Sequence, residues 1–231
     1  MNRIFIILIA ISISMAISGQ SLPGPTGLLN IPSADMQKDG TFFSGLNYLN
    51  KNYLNSYGEN KYNCLAYYFD MTFLPFLEIN FRSTRLQNKE GSGYTVDRMF
   101  SGRLRLLKEK KYFPSFVIGG NDLYTSSSGN GNQYFGALYA VFTKHLNIYK
   151  SDLGLTIGYG IDAFRNNQIK GFFAGISFRP SFLKELSIII EHDTMCFNTG
   201  ATLLLFNHLY LFAIAQGMEV FSGGIAYRIY L

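Results

Sequence analysis

The last stretch of the chain, VFSGGIAYRIYL at 220–231, limits the fold more than any other. Phe221, Gly223, Ile225, Tyr227, Ile229 and Leu231 fall on one face of an extended strand, and Ser222, Gly224, Ala226, Arg228 and Tyr230 on the other. Successive side chains of a strand point to opposite faces. The alternation therefore gives one large apolar face and one small or polar face, the polarity of a wall between lipid and a wet interior. A strand at the chain end with a free edge invites aggregation. Pairing back onto the first strand removes that edge and closes a barrel, which is the only way strands cross a bilayer. An ordinary terminal strand of a soluble sandwich shows the same alternation, so the rest of the chain has to decide.

The beginning of the chain points to the same setting. Residues 1–20 read as a secretory leader: Asn2 and Arg3 form a short basic start, 4–17 an apolar core, and Ala16, Ser18 and Gly19 are small residues before Gln20. The apolar core is too short for a comfortable membrane helix, and beyond Ser21 there is no apolar run of spanning length. A helical membrane protein is excluded. Taking the leader away leaves 19 basic against 15 acidic residues, a mild excess spread over turns and strands with no patch suited to nucleic acid. With 16 Tyr and 21 Phe and so little charge, the chain suits a barrel with aromatic girdles at both interfaces.

Residues 21–40 carry Pro23, Pro25 and Pro32 with Gly24 and Gly27, so they hold neither a helix nor a long ladder. They read as a periplasmic or lumenal lead-in: a tether, a plug or a short segment before the barrel. From Thr41 onward, apolar alternation recurs at 41–50, 61–73, 77–87, 97–109, 113–125, 133–148, 151–162, 171–181, 186–195, 198–206, 209–217 and 220–231. The expected fold is all-β, a transmembrane antiparallel barrel of about twelve strands of the outer-membrane type, over residues 41–231. Long polar links (51–60, 88–96, 126–132, 163–170) alternate with short ones (74–76, 110–112, 149–150, 182–185). Barrels of this type have long outside loops and short periplasmic turns, and an even strand count brings both ends to the periplasm. The last outside link, near 216–219, is short. Localisation in the outer membrane, in contact with its lipid, follows as the expectation.

With the large apolar residues turned to lipid, Glu78, Arg82, Arg103, Arg105, Asp162, Arg179, Glu191, Asp193 and Arg228 turn into the lumen. Asp122 follows Gly119-Gly120, where an irregularity would leave its facing open. Ionised groups inside a barrel need water or opposite charges. They form either a structural ion-pair network or a hydrophilic path for a solute such as a sugar chain. An enzyme needs a different constellation. The candidate is Glu191-His192-Asp193 with Thr194, but on a strand His192 faces away from both carboxylates. Gly129-Asn-Gly131 reads as a loop and no phosphate cradle, because no helix follows it. His145, His192 and His208 are isolated in sequence and read as wall or girdle residues. Cys64 and Cys196 are the only cysteines, and a disulfide between them stays open. No catalytic residue, cofactor or metal is expected.

TGLLNIPSADMQKDG at 26–40, LPFLEINFR at 74–82, DRMFSGRLRLLKEKKYFPSFVIGGNDLY at 97–124, QYFGALYAVFTK at 133–144, LTIGYG at 155–160 and IIIEHD at 188–193 occur in order. Together they resemble the YjbH-like family of outer-membrane proteins, whose opening signature has Thr-Gly, then Pro-Ser-Ala, then Asp-Gly. The resemblance implies a role in biosynthesis or export of extracellular polysaccharide, with periplasmic export proteins as partners, and no defined reaction. The end of the chain, with Ser222, Gly224, Tyr227 and Ile229, also resembles the signal that outer-membrane barrels present to their insertion machinery, with Leu231 in the place of the usual aromatic. Two other functions stay in view. One is a non-conducting barrel that docks periplasmic partners; the other is a membrane-embedded hydrolase.

Overall fold

The computed structural model describes residues 18–54, 62–87, 94–124, 135–164 and 167–231. Twelve antiparallel strands form a closed barrel. In chain order, the two-residue strands β1 (Gly19–Gln20) and β2 (Thr26–Gly27) come first and pair with each other inside the lumen. The wall follows: β3 (Thr41–Leu49), β4 (Cys64–Phe73), β5 (Leu77–Gln87), β6 (Tyr94–Leu107), β7 (Ser115–Asn121), β8 (Ala137–Ile148), β9 (Ser151–Ile161), β10 (Gly171–Arg179), β11 (Leu186–His192), β12 (Phe197–Leu205), β13 (Leu209–Gln216) and β14 (Val220–Tyr230). A single turn of helix, α1 (Lys51–Leu54), follows β3. The leader expected at 1–20 lies outside the described residues except for 18–20, and so do residues 55–61, 88–93, 125–134 and 165–166, where the loop expected at Gly129-Asn-Gly131 falls.

Each strand pairs with its neighbour in sequence, and β14 pairs with β3 to close the sheet. The seam runs from Gly223↔Tyr48 to Tyr230↔Thr41, and the Leu231 N–H donates to the Gly40 carbonyl at 2.8 Å. The terminal strand thus has no free edge, as the alternation required. The wall faces as a membrane barrel should. In β9, Leu155, Ile157, Tyr159 and Ile161 are exposed outside, while Gly154, Thr156, Gly158 and Gly160 are buried inside. A soluble sandwich would have reversed this polarity. Outside rings stack along the wall, as with Phe116 and Phe142 at 4.4 Å between centroids.

Two local expectations are corrected. Gly119 and Gly120 pair regularly with Tyr139 and Leu138, and the irregularity falls instead on β6, where the register shifts between Arg105 and Leu107. The wall segments expected at 113–125 and 133–148 are shortened to Ser115–Asn121 and Ala137–Ile148. Asp122, just beyond β7, is buried and takes a left-handed φ of 52°, which Asp tolerates better than most residues. The interior is also less sparse than parity arguments suggested. Phe43, Tyr68, Tyr139, Phe173 and Tyr210 face inward and are buried.

Both chain ends of the barrel lie at the end with the short turns, which is periplasmic in barrels of this kind. Residues 18–37 do not hang outside that end. They fill the lumen, and Leu22, Leu28, Leu29, Ile31 and Ala34 are as buried as any residue of the wall. The Gly-rich inner face has a reason here. A Cβ on Gly175 would run into the Leu28 side chain, while one on Gly200 would first strike the Ala213 carbonyl of β13, with Leu29 at 3.0 Å. Within the segment, Gly24 sits at φ 114°, a conformation that only glycine adopts freely, with the Asn80 amide against it.

Candidate functional site

The site is the lumen wall together with the segment it holds. Main-chain groups of residues 18–40 bond in part among themselves, through the β1–β2 pairing and turns such as Ser21 to Pro25 and Leu28 to Ile31, and the wall takes up others. Glu191 on β11 accepts the N–H groups of Leu29 at 2.9 Å and Asn30 at 2.7 Å. Asp193, just beyond β11, accepts the Asn30 side-chain amide at 2.8 Å, and Gln168 donates to the Asn30 side-chain oxygen at 3.1 Å. Asn198 crosses from β12 to both carboxylates, at 3.2 Å and 2.8 Å. A carboxylate that accepts several N–H donors makes strong, charge-assisted bonds. This cluster grips the segment at the end of the lumen nearest the long loops.

Glu78 and Arg103 form the second grip, on β5 and β6. Arg103 Nη1 is 2.8 Å from Glu78 Oε2, and both side chains are buried. Glu78 Oε1 accepts the Thr26 N–H at 2.7 Å. The other arm of the guanidinium donates to the Ser33 carbonyl and, at 3.0 Å, to the Asp35 carbonyl. Arg82 donates from Nη1 to the Leu22 carbonyl at 3.4 Å, shares that carbonyl with the Asn47 amide at 2.9 Å, and lies 3.8 Å over the Phe135 ring. Thr143 accepts the Ala34 N–H at 2.7 Å and Ser115 donates to the Ala34 carbonyl at 2.8 Å. Tyr210 donates to the Gln20 carbonyl at 3.0 Å, and the Gln20 side chain reaches Asp70 at 3.3 Å.

The third grip lies near the short turns. His145 on β8 stands between Asp35 of the segment, 3.0 Å from Nε2, and Asp152 of β9, 2.9 Å from Nδ1. Arg179 Nη1 is 3.6 Å from the same Asp152 oxygen. Asp35 lies outside the spanning strands. Burial pushes its carboxyl up, but the hydrogen bond and charge of His145, with Arg179 and Ser33 helping, hold it below its ordinary 3.8.

Of the nine residues expected in the lumen, Glu78, Arg82, Arg103, Glu191, Asp193 and Arg228 are buried inside. Arg179 is half-buried beside Asp152 at the short-turn end. Arg105 also lies at that end, half-buried, with its guanidinium donating to the Pro75 carbonyl of the β4–β5 turn. Asp162 is a correction. It falls just past the end of β9, is exposed, and pairs with Lys170 and the Asn167 amide instead of facing the interior. Parity pointed it inward, but the strand had already ended. Arg228 donates from Nε to the Asn207 carbonyl at 3.0 Å, tying β14 to the β12–β13 turn without touching the segment cluster.

Sequence reasoning missed Asp35, His145, Asp152, Asn30 and Asn47. A signal existed for His145, since Tyr139, Val141, Thr143 and His145 share one face of β8; nothing local marked its partner on the segment. His192 is half-exposed, packs on Phe197 with ring centres 4.8 Å apart, and accepts the Thr194 N–H at 3.4 Å, while Glu191 and Asp193 turn inward. His208 stacks on Tyr227 and meets the Arg228 carbonyl at 2.8 Å. Cys64 and Cys196 are both free thiols. Among the described residues, no group of His, Cys, Asp and Glu is arranged to hold a metal ion.

The family model for YjbH, described as exopolysaccharide biosynthesis protein YbjH, matches residues 20–171. The uncharacterized lipoprotein YjbH of Escherichia coli (strain K12) is 26% identical over 176 residues, which are 68% of this chain and 23% of that protein. The chain thus spans about a quarter of that relative's length. Among solved structures, an outer membrane channel from Pseudomonas putida F1 covers 88% of this chain and 100% of its own at 12% identity and a TM-score of 0.48. Outer membrane phospholipase A from Escherichia coli covers 84% and 92% at 10% identity and a TM-score of 0.41.

Proposed function

Since the chain belongs to the YjbH family of exopolysaccharide biosynthesis proteins, we propose that it is an outer-membrane barrel of exopolysaccharide export whose charged lumen is a hydrophilic path closed at rest by residues 18–40. The observation that carries this reading is the use of Glu78, Arg82, Arg103, Glu191 and Asp193 to hold main-chain and amide groups of the segment. Even the one buried ion pair of the wall among the described residues, Arg103 with Glu78, turns further donors and an acceptor to the segment. The wall satisfies a segment that is no part of the sheet, and in this reading the same acceptors and donors serve the hydroxyl groups of a passing polymer once the segment has moved. Lipid on the outside, extracellular polysaccharide in the lumen and periplasmic export proteins at the short turns are its partners in this reading.

The filled interior also favours a second reading, a barrel that never conducts and docks periplasmic partners through turns 108–111 and 184–185. Single-channel recording in a planar bilayer separates the two, with each barrel first checked for the heat-dependent gel shift of a closed fold. The path reading expects a nearly silent wild type, stable steps in Glu191→Ala, and altered ion selectivity when Arg103→Ala is added. Folded but silent barrels throughout would overturn it in favour of docking.

A further inference from the structure

The two ends of the described segment meet toward the short-turn end of the barrel. Gln37 donates from Nε2 to the Ser18 carbonyl at 2.5 Å, so the start and finish of the segment touch. Just below, Asp39 accepts the Leu74 N–H at 2.8 Å in the short β4–β5 turn. Asn30, gripped by Glu191 and Asp193 near the long loops, is therefore the apex of a loop with both ends at the periplasmic mouth. Nothing in the described part of the segment passes through to the outside, so withdrawal toward the periplasm needs no threading.

At that mouth stands His145. Each of its ring nitrogens faces a carboxylate, Asp35 at 3.0 Å and Asp152 at 2.9 Å. An ionised carboxylate only accepts, so both nitrogens carry hydrogen and the ring is an imidazolium. Charges then alternate from Asp35 through His145 and Asp152 to Arg179. The other charged groups around the chain have their own roles. Arg103 donates to the Asp35 carbonyl at 3.0 Å, Arg105 lies within electrostatic reach of Asp35, and Glu109 takes the His145 main-chain N–H at 2.9 Å and the Lys144 ammonium at 2.7 Å.

We propose that Asp35, His145 and Asp152 form a proton-dependent latch that keeps the segment in the lumen, and that its opening lets the segment withdraw into the periplasm as one loop. This rests on the reading that the segment closes a path. A neutral imidazole donates from one nitrogen only, so loss of the ring proton leaves a lone pair against one carboxylate and turns attraction into repulsion. Alkaline solution therefore unlocks the barrel, and so does removal of the segment's own carboxylate. Both act at the periplasmic mouth, beyond reach of a ligand on the outer face.

The test uses the full chain with Cys64→Ser and Cys196→Ser and one reporter thiol, Ala34→Cys, in barrels inserted in one orientation. A membrane-impermeant maleimide is added to one face at a time. His145→Gln keeps an N–H near the Nε2 position and the bond to Asp35, whereas His145→Asn keeps only the bond to Asp152. Labelling from the periplasmic face should run about tenfold faster in His145→Asn and Asp35→Asn than in the parent, with His145→Gln between them. As the pH rises, the parent itself should speed up by more than a free thiol does under the same conditions. If His145→Asn does not fold, Asp35→Asn decides, because it alters the segment and leaves the wall intact. Equal protection in Asp35→Asn and the parent, or labelling from the outer face alone, overturns the latch. A freed reporter in a bilayer that stays silent keeps the latch and sinks the conducting path. Channel steps in Glu191→Ala with the reporter still protected in Asp35→Asn do the reverse.

Discussion

The Asn30 N–H meets Glu191 Oε1 at 2.7 Å, joining positions 161 residues apart in the chain. The bond places the apex of the lumenal segment against β11, and the Leu29 N–H shares the same carboxylate. Glu191→Ala removes the acceptor of the Leu29 and Asn30 N–H groups, and at longer range of Ile31 and the Asn198 amide, and should cost about 3 kcal/mol. Glu191→Gln keeps one acceptor oxygen and should cost about 1 kcal/mol. Urea titration of the heat-dependent gel shift in lipid measures both, and equal midpoints for Ala and wild type would refute the grip.

Arg103 and Glu78 are a buried pair that also carries the segment. Arg103→Met leaves the Glu78 carboxylate without its cation and should destabilise the barrel by about 3–5 kcal/mol. Adding Glu78→Leu removes the stranded charge and should restore much of the loss. A double-mutant cycle with additive effects would show that the pair does not act as a unit.

Asp35 sets an acid limit. Its folded-state value lies below the ordinary 3.8, so its contribution is complete above 3.8 and is lost as the pH falls through the lower, folded value. Protection of a thiol at position 34 should therefore be unchanged in mildly acidic solution and fail only in strong acid. In Asp35→Asn this acid step should vanish. Release near neutral pH on the acid side would contradict the sign.

Gly175 tests why the inner face is so small. Gly175→Val puts branched carbons where Leu28 packs, so the segment and not the wall has to give way. The barrel should still show its gel shift, while trypsin should cut at Lys38 faster than in wild type. Unchanged cleavage would mean that the wall absorbs the bulk.

Ile157 tests the lipid face. It is 55% exposed in the middle of β9, and an arginine there meets hydrocarbon. Ile157→Arg should cost about 2–4 kcal/mol, whereas the same change at a turn such as Tyr149 should cost about 1 or less. Refolding yield into lipid vesicles against urea reads the difference.

Strand alternation was enough to place the wall, because side-chain direction in a strand depends only on parity and each strand obeys it locally. That is why the twelve segments, the closure of 220–231 onto the strand at Thr41, and the inward facing of Glu78, Arg82, Arg103, Glu191 and Arg228 were legible in the sequence. Parity failed at Asp162, where the strand ends before its charge, and could not see the shift between Arg105 and Leu107. It also left the lumen charges open between an ion-pair network and a path, without naming what they touch. That required the tertiary structure. Residues 21–40 have no period of their own, and their prolines exclude regular structure without choosing among tether, plug and lead-in. Only the closed wall creates the buried, polar space in which their unsatisfied N–H and carbonyl groups find Glu191, Glu78, Arg103 and Thr143, and in which Asp35 meets His145 from 110 residues away. The sequence by itself determined a strand-built wall with lipid outside and charge inside; which groups that charge meets was decided by the chain folding back into its own lumen, because polar groups from which the closed barrel removes water need partners there.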